Sequence, residues 1–178
     1  MLGSVSFTAY RQLFVRADTQ DTPVVKQVKT VVSPQTSSLT WSRPPATQDT
    51  LLSLTNKERA KAGLSPLAAN SLLDQSAKAK CLDMVTNNYW SHIDLSGQEP
   101  WRFIDATGYK KQAAGENLAS GFTSNIAVVQ GWMDSPAHRK TLLDSIYVDV
   151  GFGVCESPNF VNNGKQTIVV QHFGTPLP

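Results

Sequence analysis

The feature that most constrains the fold of this chain is the order of its local signals, in which helix signals come first and a hairpin signal comes last. Asn70 and Ser124 are typical helix caps, and Pro136 is placed to begin another helix. Residues 148–154 then alternate apolar with small or polar side chains, and an Asn-Asn-Gly turn follows at 162–164. Helices followed by paired strands predict an α+β domain.

The capping residues and the apolar periodicity give approximate helix bounds. In the second helix Leu73, Ala77 and Cys81 recur at helical spacing, so we expect Cys81 to face the core. Helices are expected from Asp49 or Thr50 to Ala62, from Asn70 to about Asn87, from Pro100 to Gly108, from Ser124 to Trp132, and from Ser135 onward.

Residues 1–48 differ in composition from the rest of the chain. They are rich in Pro, Ser, Thr and Val, which predicts an extended linker or stalk before a domain at 49–178. Residues 1–47 hold five basic and two acidic side chains, so the remaining 11 basic and 12 acidic side chains leave the domain nearly neutral.

The overall charge excludes some classes of function. The net charge of +2 and the 17% of charged residues provide no basic face, so we expect no nucleic-acid partner. No apolar run is long enough to predict a membrane span, and residues 1–10 do not have the pattern of a signal peptide. If the protein is exported, we expect its targeting or anchoring segment to lie outside this chain.

Three polar residues remain as candidates for chemistry: His92, Glu116 and His138. Two imidazoles and a carboxylate suit zinc or another divalent ion, and they equally suit acid and base catalysis. Taken singly, each is more often a hydrogen-bonded structural residue, and their spacing does not show that they meet. His172 alternates with apolar residues of the last predicted strand, and we interpret it as structural.

Five stretches in a fixed order resemble the bacterial branch of the CAP superfamily, whose SCP domain occurs in cysteine-rich secretory, antigen 5 and plant pathogenesis-related proteins. They are 56–84, 91–109, Gly115–Ala119 (GENLA), Trp132–Leu143 (WMDSPAHRKTLL) and Val150–Val154 (VGFGV). The resemblance implies a three-layer α-β-α sandwich with a central cleft and an extracellular or surface-tethered location.

The resemblance also implies a metal site formed by His92, Glu116 and His138. The family's second acidic position is occupied by Ser135, with Asp134 beside it, so Asp134 is the candidate substitute. We expect zinc or another divalent metal as the cofactor.

Aromatic side chains near His92 are candidates for lining a groove in the same cleft. They are Tyr89, Trp90 and Trp101, and core packing is the stronger interpretation for Trp101 than for Trp90. The predicted ligand-binding set is Tyr89, Trp90, Asp134 and Ser135.

The two cysteines allow one disulfide at most. In the fold that the resemblance implies, the helix with Cys81 packs on the strand that ends near Cys155. A bridge between them is therefore expected, in keeping with an oxidising compartment. Two buried free thiols are the alternative.

Three functions are compatible with these residues. The first is an extracellular binding domain whose cleft holds a divalent metal and a small apolar, lipid or cell-envelope ligand. The second is a structural or adhesion module with a vestigial cleft, and the third is a metal-assisted hydrolase with Glu116 as base and His92 and His138 as ligands. We rank them in that order and expect a monomer.

Overall fold

The computed structural model describes residues 48–178, with side chains from Leu51 onward. The predicted linker at 1–48 therefore lies outside the described residues, except that Gln48 already belongs to the first helix. Five helices and four strands are described, in this order: α1 Gln48–Lys61, β1 Ala68–Ala69, α2 Ser71–Thr86, α3 Trp101–Ala106, β2 Lys111–Ser120, α4 Asn125–Asp134, α5 Pro136–Leu142, β3 Asp149–Ser157 and β4 Gln166–Pro176.

The predicted helices are all present, with small shifts at their ends. Asn70 caps α2 by accepting a hydrogen bond from Leu72 N at 3.0 Å, and Ser124 caps α4 by accepting from Ala127 N at 3.2 Å. Ser135 occupies the position before α5, but its side chain makes no capping hydrogen bond. The α1 helix starts one residue before the predicted range, so Asp49 and Thr50 lie within it.

The four strands form one sheet in the order β1-β3-β4-β2. The predicted hairpin is the antiparallel pair of β3 and β4, while β2 pairs with the other edge of β4. The sequence did not predict β1 or β2 as strands. Strand β2 lacks β-branched and aromatic residues, so its local sequence has little strand preference, and pairing with β4 fixes its conformation.

Both faces of the sheet are covered, which gives the three layers of an α-β-α sandwich. Helix α2 packs on one face, where Ala77 and Cys81 meet Ile168 and Val170. The other face carries α1, α4 and α5, and the apolar side chains buried there include Leu51, Val129, Trp132, Leu142, Phe152 and Val169. Helices cover both faces of β3 and β4. The alternating side chains predicted there therefore point towards two buried faces, and neither face is open to solvent.

A disulfide joins the α2 layer to the sheet. Cys81 in α2 is bonded to Cys155 in β3, with 6.1 Å between their Cα atoms and a sequence separation of 74. The described chain contains no free cysteine, so the disulfide expectation is confirmed and the free-thiol alternative is wrong. Among the described residues, none of the helices has the length and apolar character that crossing a membrane requires.

Candidate functional site

The centre of the candidate site is Glu116 on the edge strand β2. Its side chain is 1% exposed and accepts two hydrogen bonds, from His92 Nδ1 at 2.6 Å and from His172 Nε2 at 2.8 Å. Strand register explains the second contact, because Glu116 lies directly opposite His172 in β4. The carboxylate therefore bridges a fully buried imidazole and one that is 29% exposed.

The protonation of this group follows from its neighbours. Burial by itself would raise the pKa of Glu116, but the hydrogen bonds and charges of His172 and His92 outweigh it and lower the pKa to about 2. The carboxylate is consequently ionised at neutral pH. The nitrogens that face it, His92 Nδ1 and His172 Nε2, carry the hydrogen-bonding protons.

His172 extends this group into the core below the cleft. Its Nδ1 lies 2.7 Å from Ser76 Oγ in α2, and both residues are fully buried. The structural interpretation of His172 from sequence is therefore incomplete, because the residue also contacts the central carboxylate. Only the pairing of β2 with β4 shows this contact, and no local pattern in the sequence indicates it.

A buried lysine holds the backbone beside His92. Lys80 Nζ donates to His92 O and Ser91 O, both at 2.8 Å, and to the Tyr89 hydroxyl at 3.1 Å. Burial lowers the pKa of Lys80, while the nearby charge of Glu116 acts in the opposite direction. Sequence reasoning missed this residue, although Lys80 follows Ala77 by three residues and so lies on the apolar side of α2. A lysine on the apolar side of a helix is unusual, and it was the signal in the sequence that could have identified this residue.

A small cavity opens beside His92 and Glu116. It has room for about 30 Å³, enough for one or two water-sized groups. Its lining residues come from the loop before α3, from α3 itself and from β2, and they are His92, Glu99, Pro100, Trp101, Ala114, Gly115 and Glu116.

The predicted ligand-binding residues lie outside the lining of this cavity. Tyr89 is buried and donates its hydroxyl to Asp83 Oδ2 at 2.5 Å. Trp90 packs edge-on against Phe160, with 6.0 Å between ring centroids. The sequence favoured Trp90 for the groove and Trp101 for the core. The structure shows the reverse, because Trp101 lines the cavity and Trp90 packs against another ring.

The two candidates at the end of α4 also lie apart from the cavity lining. Asp134 is exposed and accepts a hydrogen bond from Gln130 Nε2 at 2.8 Å within α4. Ser135 lies at the junction between α4 and α5. The acidic side chain that does line the cavity together with His92 and Glu116 is Glu99, which was not among the candidates predicted from sequence.

His138 lies in α5, which packs on the opposite face of the sheet from Glu116. A Cβ added to Gly115 would meet Tyr147 and Thr141 on the α5 side, so Glu116, the next residue, faces the α2 side. The backbone carbonyl of His138 accepts a hydrogen bond from Asn117 Nδ2 at 3.2 Å. The structure thus brings His92 and Glu116 into contact and places the helix of His138 beside Asn117.

The donor set does not form a ready-made metal site. Within residues 51–178, no three His, Cys, Asp or Glu side chains are grouped so that they could hold one ion. Both oxygens of Glu116 already accept hydrogen bonds from histidines. A site formed by His92, Glu116 and His138 would require rearranged side chains, and that set stays a prediction.

Replacing the central carboxylate should measurably destabilise the protein. We expect Glu116→Gln to lower the free energy of unfolding at pH 7 by about 3 kcal/mol, because a native pKa of about 2 against the ordinary 4.5 stabilises the ionised form. In the wild type this contribution is present above pH 4.5 and is lost as the pH falls towards 2. Urea denaturation between pH 7 and 3 measures both effects.

The control for this experiment is Glu156→Gln, which removes the same charge from an exposed ion pair with Lys165. It should cost less than about 1 kcal/mol. A Glu116→Gln variant that matches this control at pH 7, or keeps the wild-type loss of stability between pH 4.5 and 3, would contradict the role assigned to the carboxylate.

Comparison with known proteins supplies a family for this fold. The model of the CAP family, described as the cysteine-rich secretory protein family, matches residues 52–173. The uncharacterized protein YkwD of Bacillus subtilis is 35% identical over 132 residues, which cover 74% of this chain and 51% of YkwD. This chain therefore spans about half the length of that relative.

Solved structures have the same fold. An extracellular protein containing an SCP domain from Bacillus anthracis is similar with a TM-score of 0.61 and 28% identity, over 71% of this chain and 39% of that protein. An outer surface protein from Borrelia burgdorferi has a TM-score of 0.57 and 24% identity, over 72% of this chain and 92% of that protein. The second likeness supports the fold alone.

Proposed function

Because this chain belongs to the CAP family, we propose that it is an extracellular ligand-binding domain whose cleft beside His92 holds a small ligand. The observation that carries this proposal is the buried, ionised Glu116, which holds the partly exposed imidazole ring of His92 at the wall of a cavity. A buried carboxylate is costly unless it is well paired, and here it fixes one orientation of an imidazole that ligands can reach.

The backbone beneath His92 supports the same interpretation. Lys80 is fully buried, and its ammonium donates to the carbonyl groups of Ser91 and His92. Burying a lysine is unfavourable unless its charge is compensated by hydrogen bonds and nearby carboxylates. Lys80 thus fixes the main chain of His92, and Glu116 fixes its ring. Both ionisable groups are buried. Such preorganisation favours binding.

An extracellular or surface-tethered location agrees with two observations. The Cys81–Cys155 disulfide is typical of an oxidising compartment. The similar Bacillus anthracis protein is extracellular by its description. Ligands in that setting include small molecules, lipids and fragments of the cell envelope, and the size of the cavity favours a small polar group over a long apolar chain.

A divalent metal is a second candidate for the same cleft. A carboxylate that accepts from one ring nitrogen leaves the other nitrogen, here His92 Nε2, for a metal ion, an arrangement common in zinc proteins. A bound ion would supply positive charge for holding an anionic ligand group. Zinc is accordingly one of the probes that test the cleft.

The hydrolase alternative receives less support from the geometry. A general base works best when its pKa is near the working pH, and the pKa of Glu116 is held at about 2. Both of its oxygens are also occupied by histidines. The structural-module alternative predicts that no ligand distinguishes the wild type from variants in the cleft.

The proposed function is tested by titrating the full chain with soluble fragments of bacterial cell wall while recording amide NMR spectra. We expect saturable shifts at residues 92, 99, 101 and 114–116, and their loss in His92→Ala because the ligand loses its imidazole partner. Lys140→Ala, an exposed change in α5, is the matched control and should keep the shifts. Shifts that persist in His92→Ala, or none at all in the wild type, would count against the cleft as the binding site.

A further inference from the structure

The polar groups that face the cavity are acceptors of hydrogen bonds. Glu99 and Glu116 line it with carboxylates, and His92 uses Nδ1–H to donate to Glu116. In its neutral form His92 therefore has a lone pair on Nε2. A ligand that satisfies such a lining must bring donors, and a cationic donor is favoured over a neutral one because of the carboxylates.

The charge on Glu99 has no partner within the part of the chain whose side chains are described. Glu116 is paired with two histidines, and the nearby Arg102 is paired with Asp94 at 2.5 Å and with Asp83 at 3.4 Å. No ion pair or side-chain hydrogen bond in residues 51–178 involves the Glu99 carboxylate. Glu99 is exposed, so water solvates its charge in the unliganded protein, and the carboxylate is free to pair with a cationic group that enters the cavity.

The size and aromatic lining of the cavity restrict the cation further. The cavity is small, about 30 Å³, which favours a compact cationic head group such as an ammonium. Trp101 contributes aromatic surface to the lining, and indole rings attract cations. A divalent metal at His92 Nε2, the second candidate named above, would have few protein ligands, since residues 51–178 hold no group of three His, Cys, Asp or Glu side chains around one point.

We propose that this cleft binds a primary ammonium group, such as the side-chain amine of a lysine-like residue, with Glu99 as its charged partner and Trp101 as its aromatic wall. The inference rests on the proposed function, because it names the class of ligand for the cleft beside His92. It makes Glu99 the residue that determines specificity. When Nε2 of His92 is unprotonated it accepts a second hydrogen bond from the ammonium group, and neither residue requires a metal ion.

The experiment titrates the whole wild-type chain with Nα-acetyl-lysine amide and follows amide NMR shifts at residues 99, 101 and 114–116. The matched ligand is the same compound acetylated on its side-chain amine, which keeps the shape and removes the charge. We expect saturable shifts with the amine and at least about tenfold weaker binding of the acetylated compound. Zinc chloride is titrated separately as the competing cation.

The variant Glu99→Gln should weaken binding of the amine by about tenfold or more, since it removes the charge and keeps the size of the side chain. Glu156→Gln removes an equal, likewise exposed charge outside the cavity lining and should leave the affinity within about twofold, because Glu156 does not line the cavity. Equal binding of the two ligands, or equal effects of the two variants, would overturn the assignment.

The remaining outcomes separate this inference from the proposed function. If zinc or cell-wall fragments shift the cleft resonances and the amine does not, the ammonium assignment is wrong and the cleft beside His92 still binds ligands. If none of these probes shifts the resonances, both proposals fail.

Discussion

Gly153→Ala should prevent the protein from folding stably, with a loss of more than about 4 kcal/mol in the free energy of unfolding. A Cβ at this position would lie 2.3 Å from both the carbonyl carbon and the carbonyl oxygen of Ala77 in α2. Backbone atoms cannot rotate away as a flexible side chain can, so α2 would have to move off the sheet. Thermal unfolding followed by circular dichroism measures the loss.

The matched control is Gly164→Ala, in the turn between β3 and β4. Gly164 has a φ of 71°, and no heavy atom lies within 4 Å of the point that a Cβ would occupy, so its replacement adds backbone strain of about 1 kcal/mol and no clash. Equal melting temperatures for the two variants would show that close packing of α2 is not what position 153 requires. Gly151→Ala should behave as Gly153→Ala does, since its Cβ would lie 2.2 Å from Asp74 N.

Removal of the Cys81–Cys155 disulfide is expected to have the next largest effect. The bridge closes a loop of 74 residues, and the chain-entropy relation gives about 4 kcal/mol for a loop of this length. The double variant Cys81→Ala with Cys155→Ala should therefore melt roughly 10–20 °C below the oxidised wild type. Scanning calorimetry under oxidising and reducing conditions provides the comparison.

Reductant supplies the control for the disulfide experiment. It should lower the melting temperature of the wild type to near that of the double variant, and it should leave the double variant unchanged. A wild type that melts at the same temperature with and without reductant would contradict the stabilising role of the bridge.

These two predictions bear on the cleft because both concern the attachment of α2. In α2, Ser76 contacts His172, and Lys80 contacts the backbone of His92. The same helix is fixed by close packing on Gly153 and by the disulfide from Cys81. Loosening α2 should accordingly disturb the ring of His92 before the rest of the sheet unfolds.

The candidate site could be predicted only in part. Glu116 and His92 were identified from their residue types and from the family resemblance, and the structure brings them into contact. Glu99 and Lys80 were missed, because an exposed glutamate before a helix and a lysine in a helix are common in any sequence. Their roles depend on which residues surround them, and that follows from packing of α2 and α3.

Local sequence patterns were enough to predict the elements that depend on near neighbours: the caps at Asn70 and Ser124, the apolar face with Cys81, and the final hairpin. Long-range pairing, visible in the three-dimensional structure and not in the local sequence, makes Lys111–Ser120 a strand and places Glu116 opposite His172. Caps and turns are set by hydrogen bonds within a few residues, so local patterns indicate them. The pairing of β2 with β4 joins residues more than fifty positions apart at Glu116 and His172, and it is this pairing that brings the carboxylate and its buried histidine together.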